Sequence, residues 1–514
     1  MRGITKEGAA SAAAVHDGAG LTRLLARLGC RGDLIVVSNR APWVHKHTPG
    51  GIVAERPVGG LVTALEALLA AQDGCWIAHG SGDADRAASD VHGHALAAHT
   101  PAAYRLRRLW LSQDEVDGHY HGMANQGLWP LCHEAGVAPL LRSADWRRYR
   151  AVNQRFADAV VAEARSERPV VLVQDYHLAL VPRMVRERLP QAVVIAFWHI
   201  PFPSPARWAA FPWRAEMMAG LLESDLVGLQ TGADLAHFEA ARAACAGFRL
   251  DPGRARAGAY PVSIAWPPSG PQTASPQASA RTLVDGRFKV GAGVRLLLGV
   301  DRLDYTKGIA ERLQAFERLL ERRPDLRGGV TLLQVSAPGR AAPAYRQLEA
   351  QVRMLAARIN ARFGDTHWTP VALHLDGADA ATVTACYRAC DACLVTSLHD
   401  GMNLVAKEFV AARSDLRGVL VLSRRAGAAA ELRHALAVDP RDIDALADAL
   451  EEALGMSPRE QAVRMAAMRS AVRRHTVFDW AARLLEDGMR AAREHALARR
   501  GAGRTSRAVL EAAA

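Results

Sequence analysis

At 514 residues, half of them hydrophobic and 23% charged, the chain can bury more than one core, which excludes a disordered segment or a single small module. The formal net charge of +11 raises nucleic acid or a membrane surface as partners, but the cations are scattered, no long basic run interleaves with aromatics, and no run of eighteen apolar residues occurs. No nucleic acid and no membrane are therefore expected as partners, and Arg-rich solvated surface such as Arg147, Arg148 and Arg150, together with anionic substrates, accounts for the charge.

In chain order, residues 1–33 are Ala/Gly-rich, lack the compact apolar core of a signal peptide, and read as a flexible extension. Apolar runs at 34–37, 170–173 and 193–197 alternate with helical spacing, first at 61–71, which predicts a doubly wound α/β unit over 34–265. The stretch 266–280, rich in Pro and Ser, is expected to be a linker. Runs at 294–300, 330–335, 372–375, 393–395 and 419–422 then predict a second parallel sheet in a unit spanning 281–478. A helix at 479–500 and a flexible tail at 501–514 complete the expected order. Seven cysteines, an odd count with Cys386, Cys390 and Cys393 as buried small residues, suit a cytoplasmic protein, and their spacing matches no familiar zinc pattern.

Two segments carry chemistry. In Leu394-Val-Thr-Ser-Leu-His-Asp400-Gly-Met-Asn-Leu-Val-Ala-Lys-Glu408 an apolar strand stops at a polar turn and restarts as a helix. The amides near Asn403, Leu404 and Val405 would face a diphosphate, Asp400 would sit beside an attached sugar, and Glu408 would lie one turn on, within reach of a ribose. In Leu297-Leu-Gly-Val-Asp-Arg302-Leu-Asp-Tyr-Thr-Lys307-Gly308 two cations follow another strand, placed to neutralise a departing phosphate.

The runs Asp400-Gly-Met-Asn-Leu-Val-Ala-Lys-Glu408 and Arg302-Leu-Asp-Tyr-Thr-Lys-Gly308 resemble the donor-site motifs of trehalose-6-phosphate synthases, retaining glycosyltransferases of the GT-B fold. Ser38-Asn-Arg40, Val58-Gly-Gly-Leu61, Tyr120 with Leu128-Trp-Pro130, Asp175-Tyr-His177, His199-Ile-Pro-Phe-Pro203 and Ala337-Pro-Gly-Arg340 follow the same pattern in order, so the resemblance covers about 34–474. It implies two Rossmann-like domains facing a cleft, with the last helix crossing back to the first domain. It also implies transfer of glucose from UDP-glucose to glucose-6-phosphate, giving trehalose-6-phosphate and UDP without metal or cofactor, in a homo-oligomer. Arg40, Tyr120, Trp129 and Arg340 would surround the acceptor phosphate, and Asp175 and His177 its hydroxyls. Gly59, Gly60 and His199 would lie against the donor glucose and diphosphate, Arg302 and Lys307 would take the phosphates, and Asp400, Gly401, Met402, Asn403, Leu404 and Val405 the sugar and phosphates, with Glu408 on the ribose. Front-face attack, in which the leaving diphosphate assists deprotonation, is the mechanism the family implies; no carboxylate pair clearly serves as nucleophile and acid.

Taken singly, these residues have plainer readings: Trp129 as core packing, His199 as a hydrogen-bonded strand end, Gly59-Gly60 as a turn, and Tyr120 as part of a solvated loop. Tyr260-Pro-Val-Ser-Ile264-Ala-Trp266 and Trp76-Ile-Ala-His-Gly-Ser-Gly82 depart from the family pattern and mark a divergent subgroup. A related synthase with another donor or acceptor, such as a glucosylglycerol-phosphate synthase, and a noncatalytic sugar-phosphate sensor therefore stand as alternatives.

Overall fold

The computed structural model describes residues 17–29, 33–56, 62, 65–66, 68–69, 73–98, 104–245, 255–267, 277–291 and 293–512. The first half contributes β1 (Leu34–Arg40), β2 (Val44–Thr48), β3 (Gly51–Glu55), β4 (Cys75–His79), β5 (Arg105–Leu109), β6 (Val170–Gln174), β7 (Val193–Phe197), β8 (Leu226–Leu229) and β9 (Arg256–Ala259). Seven of these form a parallel sheet in the order β5-β4-β1-β6-β7-β8-β9, and β2 and β3 pair as a separate antiparallel hairpin. The second half contributes β10 (Arg295–Arg302), β11 (Val330–Ala337), β12 (Val371–His374), β13 (Ala392–Val395), β14 (Val419–Ser423) and β15 (Leu436–Val438), a six-stranded parallel sheet ordered β12-β11-β10-β13-β14-β15.

The apolar runs become strands without alternation because helices cover both sheet faces; Leu34, Ile35, Val36 and Val37 are all buried, as are all five residues of β7. In each sheet the chain starts in the middle and winds outward both ways. The strand order therefore reverses between β1 and β6 and again between β10 and β13, and a crevice opens there beyond the carboxyl ends. This is the expected α/β architecture of two Rossmann-like sheets.

Three expectations need revision. The segment 1–33 is not wholly unstructured: Gly18–Leu28 is a helix, capped by the Asp17 carboxylate at one end and by Gly29 at φ +76° at the other. Its Leu21, Leu24 and Leu25 recur at helical spacing and are buried in the core. The stretch 266–280 is not all linker, since the helix Gln277–Phe288 begins inside it, while 268–276 lie outside the described residues. The last helix runs Val477–Ala512, well past the expected end at 500. It crosses back onto the first sheet, where Gly488 lies so close to Ile195 that a Cβ would collide and Trp480 meets Phe197 edge-on at 5.0 Å. Arg493 of this helix donates to the Leu28 carbonyl, so the two ends of the chain brace each other.

If the first helix is docked as described, Leu25→Ala should lower the unfolding free energy by about 2–5 kcal/mol in denaturant titration. A change near zero would mean that the segment does not contribute to the core.

Candidate active site

The site residues sit at the two reversal points. Arg40 ends β1 and Asp175 follows β6; Arg302 ends β10, and the turn to Asp400 follows β13. The first unit adds a wide helix. Residues Val116–Leu128 wind as a π-helix, not as the solvated loop that the sequence around Tyr120 suggests, and His119 within it is fully buried. A π-helix has about 4.4 residues per turn, so the nine-residue step from Tyr120 to Trp129 is close to two full turns and both side chains share a face. An α-helix would set them on opposite sides. Gly122 lets this helix close on its neighbour Ser143–Glu163, where a Cβ would lie 2.5 Å from the Asp145 carboxylate.

On that shared face the two units meet. The Arg340 guanidinium carbon lies 4.0 Å from the centroid of the Trp129 ring, and that of Arg302 lies 5.3 Å away. Arg40 donates to the Tyr120 hydroxyl at 2.7 Å, and Tyr120 stacks on His177 with centroids 5.9 Å apart. Burial would raise the Tyr120 phenol, but Arg40 and Arg340 more than offset it and hold the phenol below its usual range. Burial pushes His177 well below the usual imidazole range and His199 down to about 3, so both rings are neutral at pH 7. The His199 ring contacts the Gln174 side-chain oxygen at 2.9 Å.

Asp175 has φ +71°, a left-handed conformation uncommon outside glycine, held because its Oδ1 accepts from the Tyr176 and His199 amides at 2.9 and 3.0 Å. Burial dominates its titration and raises it to about 7, although those amides, Arg340 and Arg40 pull the other way.

On the second unit, Arg302 donates to Asp304 at 2.6 Å, and Arg340 lies 3.9 Å from the same carboxylate oxygen. Asp304 is fully buried; burial alone would raise its carboxyl, but Arg302, Arg340 and Lys307 hold it well below the usual carboxylate range. Lys307 donates to Asp400 Oδ2 at 2.5 Å, and the same oxygen accepts from Ser397 and from Asn403, each at 3.1 Å. Lys307 is thus tied through one carboxylate to Asn403, which at φ +70° caps the helix Leu404–Ala412. The start of that helix, with Leu404 and Val405 in its first turn, faces the cleft with the positive end of its dipole. Gly401 is required where it stands, because a Cβ would strike the His199 carbonyl oxygen, and Met402 is buried beside it. Glu408, half-buried one turn along the helix, accepts from Tyr387 at 3.1 Å and is raised by burial. Gly59 and Gly60 lie outside the described residues.

The structure therefore brings together Arg40, Tyr120, Trp129, Asp175, His177, His199, Arg302, Lys307, Arg340 and Asp400, with Gly401, Met402, Asn403, Leu404 and Val405 beside them and Glu408 one turn along the helix. Three further residues, Asp304, His133 and His399, belong to the site without standing out in the sequence motifs. Asp304 lies inside the quoted Arg302–Gly308 run, and its alternation with the cations was the available signal. His133, stacked on Trp129 at 4.0 Å, and His399, whose Nδ1 accepts from the Glu134 amide at 3.2 Å, form a seam between the units that only the fold reveals.

The family model described as glycosyltransferase family 20 matches residues 32–489. The trehalose-6-phosphate synthase of Mycolicibacterium paratuberculosis is 40% identical over 472 residues, 88% of this chain and 94% of that protein. The chain spans 62% of a longer relative, the bifunctional trehalose-6-phosphate synthase/phosphatase of Thermoproteus tenax, with 37% identity over 87% of its own length. Among solved structures, an Escherichia coli protein described as trehalose-6-phosphate bound with UDP-2-fluoro glucose superposes with a TM-score of 0.77 at 30% identity, covering 89% of this chain and 98% of that one. A UDP-forming α,α-trehalose-phosphate synthase of Burkholderia xenovorans in complex with glucose-6-phosphate gives 0.77 at 33% identity, covering 89% and 100%.

Asp175 generates a pH prediction. Its carboxyl titrates near 7 when folded against an ordinary 3.8, so the folded state holds a proton that the unfolded state has released. The stabilising effect of that proton is complete below about pH 4 and is lost as the pH rises to about 7. Relative to Asp175→Asn, the wild type should lose up to about 4 kcal/mol of unfolding free energy across that window. Parallel pH profiles for the two proteins would contradict the assignment.

Proposed function

This chain belongs to glycosyltransferase family 20, and on that premise we propose that it transfers glucose from UDP-glucose to glucose-6-phosphate, giving trehalose-6-phosphate and UDP. The observation that carries the reading is the convergence of cations on one cleft: Arg302 and Arg340 of the second unit laid on Trp129 of the first, Arg40 on Tyr120, and Lys307 held by Asp400 at the start of the helix Leu404–Ala412.

In this reading Arg40, Arg340 and the Tyr120 phenol grip the acceptor phosphate while Trp129 excludes water, since guanidiniums match phosphate with paired N–H donors. Asp175 and His177 receive the acceptor hydroxyls. Asp400 and Gly401, Met402, Asn403, Leu404 and Val405 hold the donor glucose and diphosphate, and Glu408 takes the ribose. His199, neutral in its buried setting, lies against the donor glucose as a hydrogen-bonding group rather than a charge. The acceptor hydroxyl attacks the anomeric carbon from the face the diphosphate is leaving. As the C–O bond to the diphosphate breaks, the hydroxyl proton passes to a diphosphate oxygen, and Arg302, Lys307 and the helix amides neutralise the charge that develops.

The proposal extends to a cytoplasmic homo-oligomer. Six cysteines among the described residues are buried and unpaired, and no helix among them is long and apolar enough to cross a membrane.

Incubation with glucose-6-phosphate and a panel of nucleotide glucoses should release UDP and form trehalose-6-phosphate; no nucleotide release with any donor would remove the catalytic reading in favour of a sensor. Arg340→Ala should raise the KM for glucose-6-phosphate by about 10- to 100-fold with little change for UDP-glucose. Equal loss for both substrates would contradict the pocket assignment.

A further inference from the structure

The helix Leu404–Ala412 presents its start to the cleft and Glu408 to the proposed ribose site, but Lys407, between them in sequence, points elsewhere. Its side chain is 1% exposed, and its ammonium donates to the Val262 carbonyl at 2.8 Å and to Glu431 at 2.6 Å. Val262 belongs to the segment that leaves the first sheet after β9. The amide of the same residue donates to Gln230 Oε1 at 3.0 Å, and Gln230 Nε2 donates in turn to the His199 carbonyl at 3.2 Å. That carbonyl is the atom against which the Gly401 backbone is pressed too closely for any side chain. Gly401 leads back through Met402 and Asn403 to the helix that carries Lys407.

These contacts close a ring across the two units: Gly401, His199, Gln230, Val262, Lys407 and the helix start. We infer that Lys407 and Gln230 are positioning residues, a clamp on the two ends of Val262 that holds the donor-binding helix at a fixed distance from the strand end bearing His199. Neither side chain touches substrate. A buried ammonium is well suited to this task, because it is desolvated by burial and gains most when both its partners are in place, so the clamped arrangement is favoured over a looser one. Glu431 supplies the compensating charge and comes from the short helical turn whose Ala428 amide bonds to the Met402 carbonyl at 2.8 Å, next to the donor turn. The donor side of the cleft is therefore fixed from the first unit without a direct contact to the sugar nucleotide.

The inference rests on the functional reading above, and its test separates the two. Steady-state kinetics and calorimetric UDP binding are measured on the wild type, Lys407→Met, Gln230→Met and the double variant, with thermal melts to confirm folding. Each single substitution should raise the KM for UDP-glucose and the Kd for UDP by about tenfold while the KM for glucose-6-phosphate stays within about twofold. Because both side chains hold the same residue, the double variant should be no worse than the worse single one. If Lys407→Met is poorly folded with Glu431 left unpaired, Lys407→Met/Glu431→Gln removes the stray charge, and Gln230→Met stands as an independent arm. Folded variants with unchanged donor affinity, equal rises for both substrates, or additive effects would overturn the clamp. A wild type that binds UDP without turnover would overturn the functional reading, with UDP affinity in the variants still deciding the clamp; a wild type that neither binds nor turns over would overturn both.

Discussion

The site depends on one contact, two guanidiniums from the second unit laid on the indole of Trp129 from the first. Like charges so close repel, and three devices hold them there. The ring's face attracts both, each such interaction contributing about 0.5–2 kcal/mol. The buried Asp304 carboxylate, 2.6 Å from Arg302 and 3.9 Å from Arg340, offsets part of the charge. The π winding of Val116–Leu128 keeps Trp129 on the same face as Tyr120, so the indole reaches the cleft at all. Restoring α-helical winding would turn Trp129 away by half a turn and leave the two arginines facing each other without a surface.

Each unit is rigid near this contact for the same topological reason. Parallel strands buried on both faces end in turns whose polar groups have nowhere to go but the crevice, and the crevice lies where the strand order reverses. Asp175, strained at φ +71°, is held by the amides of Tyr176 and His199; Asp400 is held by Lys307, Ser397 and Asn403. The cations are thus neither loose surface charges nor fully neutralised pairs. Arg302 and Arg340 share the single Asp304 carboxylate, which leaves net positive charge directed into the cleft, while Lys307 is matched by Asp400. That arrangement suits two anions arriving in turn, one to be gripped and one to be released.

Both sheets were legible in sequence where strands are continuous apolar runs, as in β6, β7, β11 and β14. They were not in the short apolar runs of β4 and β8, nor where charge interrupts the run. In β5, Arg105 and Arg107 pair with Glu163 and the buried Arg108 with Asp85, so this edge strand reads as a polar stretch until its partners are known. The first helix was missed because its leucines lie in an Ala/Gly-rich stretch and pack against the last helix, far along the chain. In the site, contiguous motifs betrayed the cations and the helix start. The winding around Tyr120, the Trp129–His133 stack and the Val262 clamp are tertiary, set by which side chains meet across the chain, and no local spacing encodes them.

The central claim is that fixed positive charge in the cleft acts on the departing diphosphate and not merely on substrate affinity. Single-turnover transfer by Arg302→Met, measured at saturating UDP-glucose and glucose-6-phosphate, isolates that effect. The rate should fall by about 100- to 1,000-fold while the Kd for UDP-glucose changes far less. A single-turnover rate equal to that of the wild type would contradict the account.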